Sequence, residues 1–368
     1  MTQPPLGGAV APAFGAVEER FAELLADGSE TGAAVAVYRG NELVVDLWGG
    51  WVDSSRTEPW RRDTIVPTYS VTKVPTAVTV LALVDRGLIG LDDMVTSVWP
   101  EYAAAGKAST TVRMLLAHQA GLPAFPELRG PHAWSDWDDL TGMLAAAAPE
   151  WEPGDAHGEH ALTYGHLLGE VVRRVTGRSL GTVWREEVAT PLGLDFHIGL
   201  RGADAERVAE MEYATATWPE LTLGTPGSLR QRALGNPTGA LDLSVLGSSL
   251  WRETEVPAVN GHGTARAVAR LYAGLAGWLE ESLLAEDLRA ELFRAVCTGP
   301  DLLLERSVAW GLGLQLEDGY AGMGGIGGSD GMVHRGHGYA FGYVTRRLRN
   351  HARATALADA VETCLLSS

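Results

Sequence analysis

Residues 68–87 read TYSVTKVPTAVTVLALVDRG. Between Val74 and Arg86 apolar residues recur at helical spacing, and Pro75 fits that helix only in its first turn, where a missing N–H is tolerated. The spacing therefore predicts a helix whose start carries Ser70 and Lys73. Residues at i and i+3 lie on one face, so the amine can reach the hydroxyl. A serine hydroxyl is a weak nucleophile until a neighbour takes its proton, and a desolvated lysine can do that or hold a second base ionised. Helix-start N–H groups beside Ser70 favour charge developing on an attacked carbonyl oxygen. The competing reading is a serine cap and a solvated lysine, since Ser-x-x-Lys arises often by chance. Lys73 and Lys107 are the only lysines in a chain that otherwise carries its positive charge on arginine. A compact, deprotonatable amine at 73 is therefore favoured.

At 368 residues with 46% hydrophobic and 20% charged content, the chain can bury a full core and has room for two domains. Its 29 basic and 46 acidic residues give net −17, which disfavours nucleic acid and anionic membranes as partners. No apolar run reaches membrane-spanning length, and MTQPPLGGAVAPAFG lacks the pattern of a signal peptide, so the expected compartment is cytoplasmic. Cys297 and Cys364 are too few and too distant for a disulfide framework or thiolate zinc site and read as packing residues.

After a start expected to be flexible, residues 14–28 place Phe14, Val17, Phe21, Leu24 and Leu25 on one helical face, with Gly28 as a stop. TGAAVAVYRGNELVVDLWGGW then reads as a hairpin turning at Arg39-Gly40-Asn41. Residues 109–123 predict a short helix, and 160–177 another, entered through Tyr164 and closed by Gly177. Strand character returns at 310–318, around the glycine run at 322–331, and at 339–347, before a terminal helix at 352–366. The fold class is α+β. The expected division is a discontinuous sheet domain from 1–90 and 256–368, with a mainly helical domain at 91–255 whose loops wall a cleft.

Ten histidines raise a metal reading, chiefly His157, His160 and His166, or His334 and His337. None has helix-borne metalloenzyme spacing with a catalytic glutamate, so no metal is expected. His118 reads as a buried residue ordering its loop. Among twelve tryptophans, Trp134, Trp137 and Trp310 could line an apolar acyl pocket. The run GGIGGS lacks dinucleotide or phosphate-loop context and implies no cofactor.

With these segments in order, the chain resembles the serine β-lactamase and penicillin-binding-protein superfamily, most closely its class C-like branch of family VIII carboxylesterases and related transacylases. LWGGWVDSSRTEPWRRDTIVPTYSVTK is similar to the approach to the nucleophile, TVRMLLAHQAGLP to the helix after it, HALTYGHLLGEVVRRVTGRSLG to the second motif, and GMGGIGGSDG to the third. The resemblance implies a β-lactamase/DD-peptidase-like fold, an antiparallel sheet flanked by helices. It implies Ser70 as the acylated nucleophile, Lys73 and Tyr164 as a coupled base, and an oxyanion hole from the backbone N–H groups of Ser70 and Ile326. Met323, Gly324, Gly325 and His166 would contact substrate. Two positions depart from the pattern. Met323 stands where relatives carry lysine or histidine, removing an anchor for a substrate carboxylate, and His166 stands where asparagine is common.

The leading expectation is a cofactor-free acyl-transfer enzyme that takes an acyl group from a small ester or activated amide to Ser70 and passes it to water, or to an amine or alcohol acceptor. A dedicated transacylase of natural-product (antibiotic) biosynthesis, part of secondary metabolism, is the alternative within enzymes. Met323 and the tryptophans would give such an enzyme a dry site. A non-catalytic ligand-binding homologue is the alternative from another class, disfavoured because Ser70, Lys73 and Tyr164 are all present. The acyl group, acceptor and oligomeric state are not encoded in any motif.

Overall fold

The protein is described here by a computed structural model that covers residues 4–281 and 283–367. Nine antiparallel strands form one sheet in the order Leu6–Val10, Glu42–Gly50, Gly32–Arg39, Tyr339–Thr345, Asp330–His334, Tyr320–Gly324, Gln315–Glu317, Arg306–Trp310 and Cys297–Asp301. Every strand of that sheet comes from the two ends of the chain, and residues 91–255 add none to it. Alternation along Gly32–Arg39 sets the layers: Val35 and Val37 face one core, and Ala36 and Tyr38 face the other.

On the first face lie the helices Gly15–Ala26 and Ala352–Leu366. Phe14, Val17, Phe21, Leu24 and Leu25 are all buried there against Phe341, Tyr343, Leu357 and Val361. The second face is crossed by the helix Ala265–Leu275. It approaches closely because Gly342 is bare: a Cβ there would lie 2.3 Å from the Ala265 carbonyl oxygen. Beyond it the largest core continues into the helices Lys73–Asp85 and Thr163–Thr176, which pack on each other. Pro75 does sit in the first turn of its helix, and Gly177 ends the other with φ of 69°.

Three expectations needed correction. The start of the chain is not loose: Leu6–Val10 pairs in register with Glu42–Gly50, and the Trp48 indole lies over Gly7 where any Cβ would clash at 2.8 Å. Residues 310–318 form two strands rather than one, because Gly311 N–H donates to the Leu314 carbonyl and Gly313 turns with φ of 83°. The helix expected at 109–123 spans only Val112–Leu116 and stops before His118, whose φ is 60°.

Candidate active site

Ser70 lies in a single 3-10 turn, Tyr69–Thr72, that runs directly into the helix Lys73–Asp85. Tyr69 holds φ of 49°, a left-handed conformation that costs a non-glycine residue about 1–3 kcal/mol. Its surroundings over-determine it. The Tyr69 hydroxyl donates to the Ala240 carbonyl at 3.2 Å, and Thr68 donates to the Gly261 carbonyl through N–H and Oγ1 at 2.8 and 3.0 Å. Gly261 N–H returns a bond to Thr72 Oγ1 at 2.9 Å, and Thr76 Oγ1 donates to the Pro257 carbonyl at 2.5 Å. The nucleophile turn is thus clamped to residues 257–261 from both sides.

Lys73 Nζ donates to Ser70 Oγ at 2.7 Å, as the i,i+3 spacing requires. Both residues are buried. A third group, which the sequence reading did not single out, completes the cluster. Glu159 Oε1 lies 3.0 Å from Lys73 Nζ and accepts from Ser70 Oγ at 3.5 Å. Burial lowers the Lys73 ammonium from its ordinary value, while the adjacent Glu159 carboxylate works in the opposite direction. The backbone of Glu159 is held from two distant places. Its N–H donates to Asp301 Oδ1 at 3.2 Å, and the next N–H, of His160, donates to His118 Nδ1 at 3.1 Å. Asp301 is itself buried and fixed by Leu303 N, Leu304 N and Trp310 Nε1. His118 does order its loop, and burial keeps its imidazole well below the ordinary value, hence neutral.

Tyr164 is not brought to this cluster. It begins the helix Thr163–Thr176 as expected, but its hydroxyl donates to the Leu116 carbonyl at 3.3 Å, and its ring packs 4.5 Å from that of His118. The reason is register: Glu159 precedes the helix and reaches Lys73, whereas Tyr164 lies inside it, beneath Gly313. Burial raises its phenol further above the ordinary value. His166 is likewise displaced from substrate contact. It is fully enclosed, with Trp137 stacked at 4.8 Å and Phe125 edge-on at 5.4 Å, and burial pushes its pKa down to about 4.

A pocket of about 340 Å³ opens at Ser70. Glu159, Met323, Gly324 and Ile326 line it together with Arg230, Arg306, Glu317, Asp330 and His351. Gly325 instead supports it from behind: a Cβ there would sit 2.1 Å from the Thr68 carbonyl oxygen, so only glycine lets this run reach the nucleophile turn. Trp134, Trp137 and Trp310 do not line the pocket. Trp310 is fully buried with its N–H on Asp301, and Trp134 and Trp137 pack around His166. The walls are therefore far more charged than a tryptophan-lined acyl site would be.

One group among the described residues, His334, His337 and Glu362, brings possible metal-ligand atoms within 4.8 Å of one another. The two imidazoles stack face to face at 4.0 Å with planes 2° apart, so their lone pairs run side by side instead of converging. His334 Nδ1 also already accepts from His337 N–H at 3.0 Å. The cluster is a hydrogen-bonded staple between a strand end and the terminal helix.

A sequence model of the Beta-lactamase family matches residues 17–363. The chain belongs to the beta-lactamase family. Among curated relatives, the esterase/beta-lactamase LipL of Mycobacterium tuberculosis is 35% identical, over 93% of this chain and 83% of that protein. Among solved structures, a family VIII carboxylesterase superposes with a TM-score of 0.90 at 36% identity, over 98% of this chain and 100% of the other. A penicillin-binding-protein homologue from Caulobacter crescentus gives 0.86 at 36% identity, over 98% and 100%. The β-lactamase/DD-peptidase-like fold and the superfamily that the motifs resemble are those of this chain, and it is a serine-hydrolase-type enzyme of that family. Among the described residues, no helix is long and apolar enough to cross a membrane.

Proposed function

We propose that this protein is a carboxylesterase-like serine hydrolase, which takes the acyl group of a small ester or activated amide onto Ser70 and passes it to water. The observation that carries this reading is the 2.7 Å contact from Lys73 Nζ to Ser70 Oγ inside a clamped, buried turn that opens on a pocket. An ammonium at that distance stabilises an oxygen that becomes negative as its proton leaves. The backbone N–H of Ser70, at a helix start without an intrahelical acceptor, and that of Ile326 across the pocket are the groups we assign to the oxyanion hole. The esterase names of the relatives support an ester as the acyl donor.

The pocket walls support water as the acceptor. Arginine, glutamate, aspartate and histidine side chains around Ser70 make a polar wall that favours bound water over its exclusion, and an acyl-enzyme is spared from hydrolysis only where water is excluded. Of the apolar groups expected to dry the site for a transacylase, Met323 lines the pocket, whereas Trp134, Trp137 and Trp310 lie elsewhere. Intact-protein mass spectrometry after mixing with p-nitrophenyl acetate, with peptide mapping, tests the reading: the expected result is an acetyl adduct on Ser70 that forms and decays with turnover. No adduct and no turnover with any aryl ester would turn the reading to the non-catalytic ligand-binding homologue. A product analysis against millimolar amine or alcohol settles the acceptor: free acid is expected to dominate, and a majority of amide or new ester would favour the transacylase.

A further inference from the structure

We infer that Glu159 is the proton acceptor of this site, first for Ser70 and then for the water that releases the acyl group. The inference rests on the proposed acyl-Ser70 chemistry and goes beyond it by assigning the base. Three observations converge. Among the described residues, Glu159 Oε1 is the only carboxylate oxygen within hydrogen-bond reach of Ser70 Oγ, at 3.5 Å, while Lys73 Nζ donates to that same Oγ at 2.7 Å and to Oε1 at 3.0 Å. The direction of these bonds matters. Lysine donating to Oγ uses a lone pair of the serine oxygen, which leaves the serine hydrogen for the carboxylate. Second, Glu159 Oε2 takes no donor among the described residues and is not sealed from solvent, so it has room for a water in the pocket that Glu159 lines. Third, the carboxylate is aimed by its main chain, through Asp301 on one side and His118 on the other, as a positioned base must be. Tyr164, the other group with a claim to the role, spends its hydroxyl on the Leu116 carbonyl.

The steps balance. Ser70 Oγ bonds to the acyl carbon as its proton passes to Glu159, and the tetrahedral oxygen carries the negative charge. The C–O bond to the leaving alcohol breaks, and the alkoxide takes the proton from Glu159. Water then attacks the acyl carbon while giving a proton to Glu159; the bond to Ser70 Oγ breaks, and Glu159 returns that proton to Oγ. Lys73 stays an ammonium throughout and steadies each oxygen as it becomes negative. The net change is ester plus water to acid plus alcohol.

The experiment uses Glu159→Gln and Glu159→Ala with p-nitrophenyl acetate. Its leaving phenolate needs little help from a proton, so acylation survives better than release. Glu159→Gln is expected to lose about 10²–10⁴-fold in steady-state turnover, the size of a general-base effect, while an acetyl adduct persists on Ser70. Turnover within threefold of the parent would overturn the inference. Glu159→Ala separates a base from a mere counter-ion for Lys73. Formate fills the vacated anion position and accepts protons, whereas chloride only fills it. Turnover restored by formate in proportion to its concentration, and not by chloride, supports the base; equal recovery with both salts overturns it. If instead Ser70 is never acylated in the parent or in either variant, the underlying acyl-Ser70 reading has failed, and that outcome is distinct from the others.

Discussion

Among the described residues two carboxylate–cation pairs have both members buried, and they are built to opposite ends. Glu30, wholly enclosed beneath the sheet, pairs with Arg353 Nη1 at 2.6 Å. Its two oxygens also accept from Thr31 N, Gly32 N, Thr345 Oγ1 and the Tyr343 hydroxyl. With five donors, every lone pair is occupied. Among the described residues, Glu159 accepts only from the two reactive side chains, Lys73 and Ser70. A saturated buried charge has nothing left to exchange and serves to lock the strand Tyr339–Thr345 to the terminal helix. An unsaturated one beside a nucleophile and a pocket is available for proton transfer, which is why buried titratable groups in clefts mark reactive sites more often than enclosed ones do.

The sharpest way to break that contrast is Ser70→Ala. It is expected to reduce ester turnover to background and abolish fluorophosphonate labelling, with little change in melting temperature, because Lys73 keeps Glu159 as its partner when the serine oxygen is lost. Labelling that persists would move the nucleophile elsewhere. The converse variant is Glu30→Gln. It leaves the Arg353 guanidinium buried without its counter-charge and is expected to cost about 3–5 kcal/mol of stability, read by denaturant titration. Turnover per folded molecule should change little, because Arg353 Nη2 still donates to the Gly327 and Arg347 carbonyls and keeps the glycine run tied down. A large rate loss with unchanged stability would erase the distinction between the two pairs.

The difference between the pairs also explains which features were legible in the sequence. Ser70 and Lys73 lie three residues apart on one helix, so local spacing sufficed. The same holds for the 352–366 helix, the 32–50 hairpin and the Gly177 stop. The scarcity of lysine was a weaker sign than it looked: Lys107, the other one, is spent on the carbonyls of Ala104 and Ala145 at 2.7 and 3.0 Å, a structural task. Glu159 was illegible because its place is fixed by Asp301 and His118, far away in the chain, and nothing local in HGEHALTYG ranks it above Tyr164. A carboxylate between His157 and His160, just before an amphipathic helix, was the available signal. The strand Leu6–Val10 was illegible because Gly7 and Gly8 have no strand propensity, and only the neighbouring strand gives their bareness a purpose: the Trp48 indole at Gly7 and the Asp46–Leu47 backbone at Gly8.

Acid should test the frame without touching the reacting pair. His160 and His166 are buried and neutral, each held down to about 4 chiefly by burial. Their unfolded-state pKa is 6.5, so between pH 6.5 and 4 the unfolded chain binds more protons than the fold. Their contribution is therefore fully present above pH 6.5 and falls as pH drops through that window, by on the order of 3 kcal/mol for each residue. Urea midpoints at pH 7 and pH 5 are expected to differ in that direction, and His166→Phe, which suits the Trp137 and Phe125 cage, should shrink the difference while the buried His160 and His118 keep the rest of it. A midpoint independent of pH would mean that these rings are solvated.

The smallest effect expected is also the most discriminating. If Tyr164 shared the Ser70 proton with Lys73, its replacement by phenylalanine would cost orders of magnitude in turnover, as loss of a general base does. In the structure its hydroxyl makes one bond, to the Leu116 carbonyl, and burial holds the phenol so firmly neutral that it has no phenolate to offer. Tyr164→Phe should then remove a single neutral hydrogen bond, worth about 1 kcal/mol of stability, and leave turnover within about threefold of the parent, an estimate set by the absence of any lost base. Steady-state kinetics and a melt on the same preparation decide it. A hundredfold fall in turnover at unchanged stability would return the proton to Tyr164 and leave Glu159 as the counter-ion of Lys73. An unchanged rate with a slightly lowered melt places the chemistry on the carboxylate that the sequence concealed.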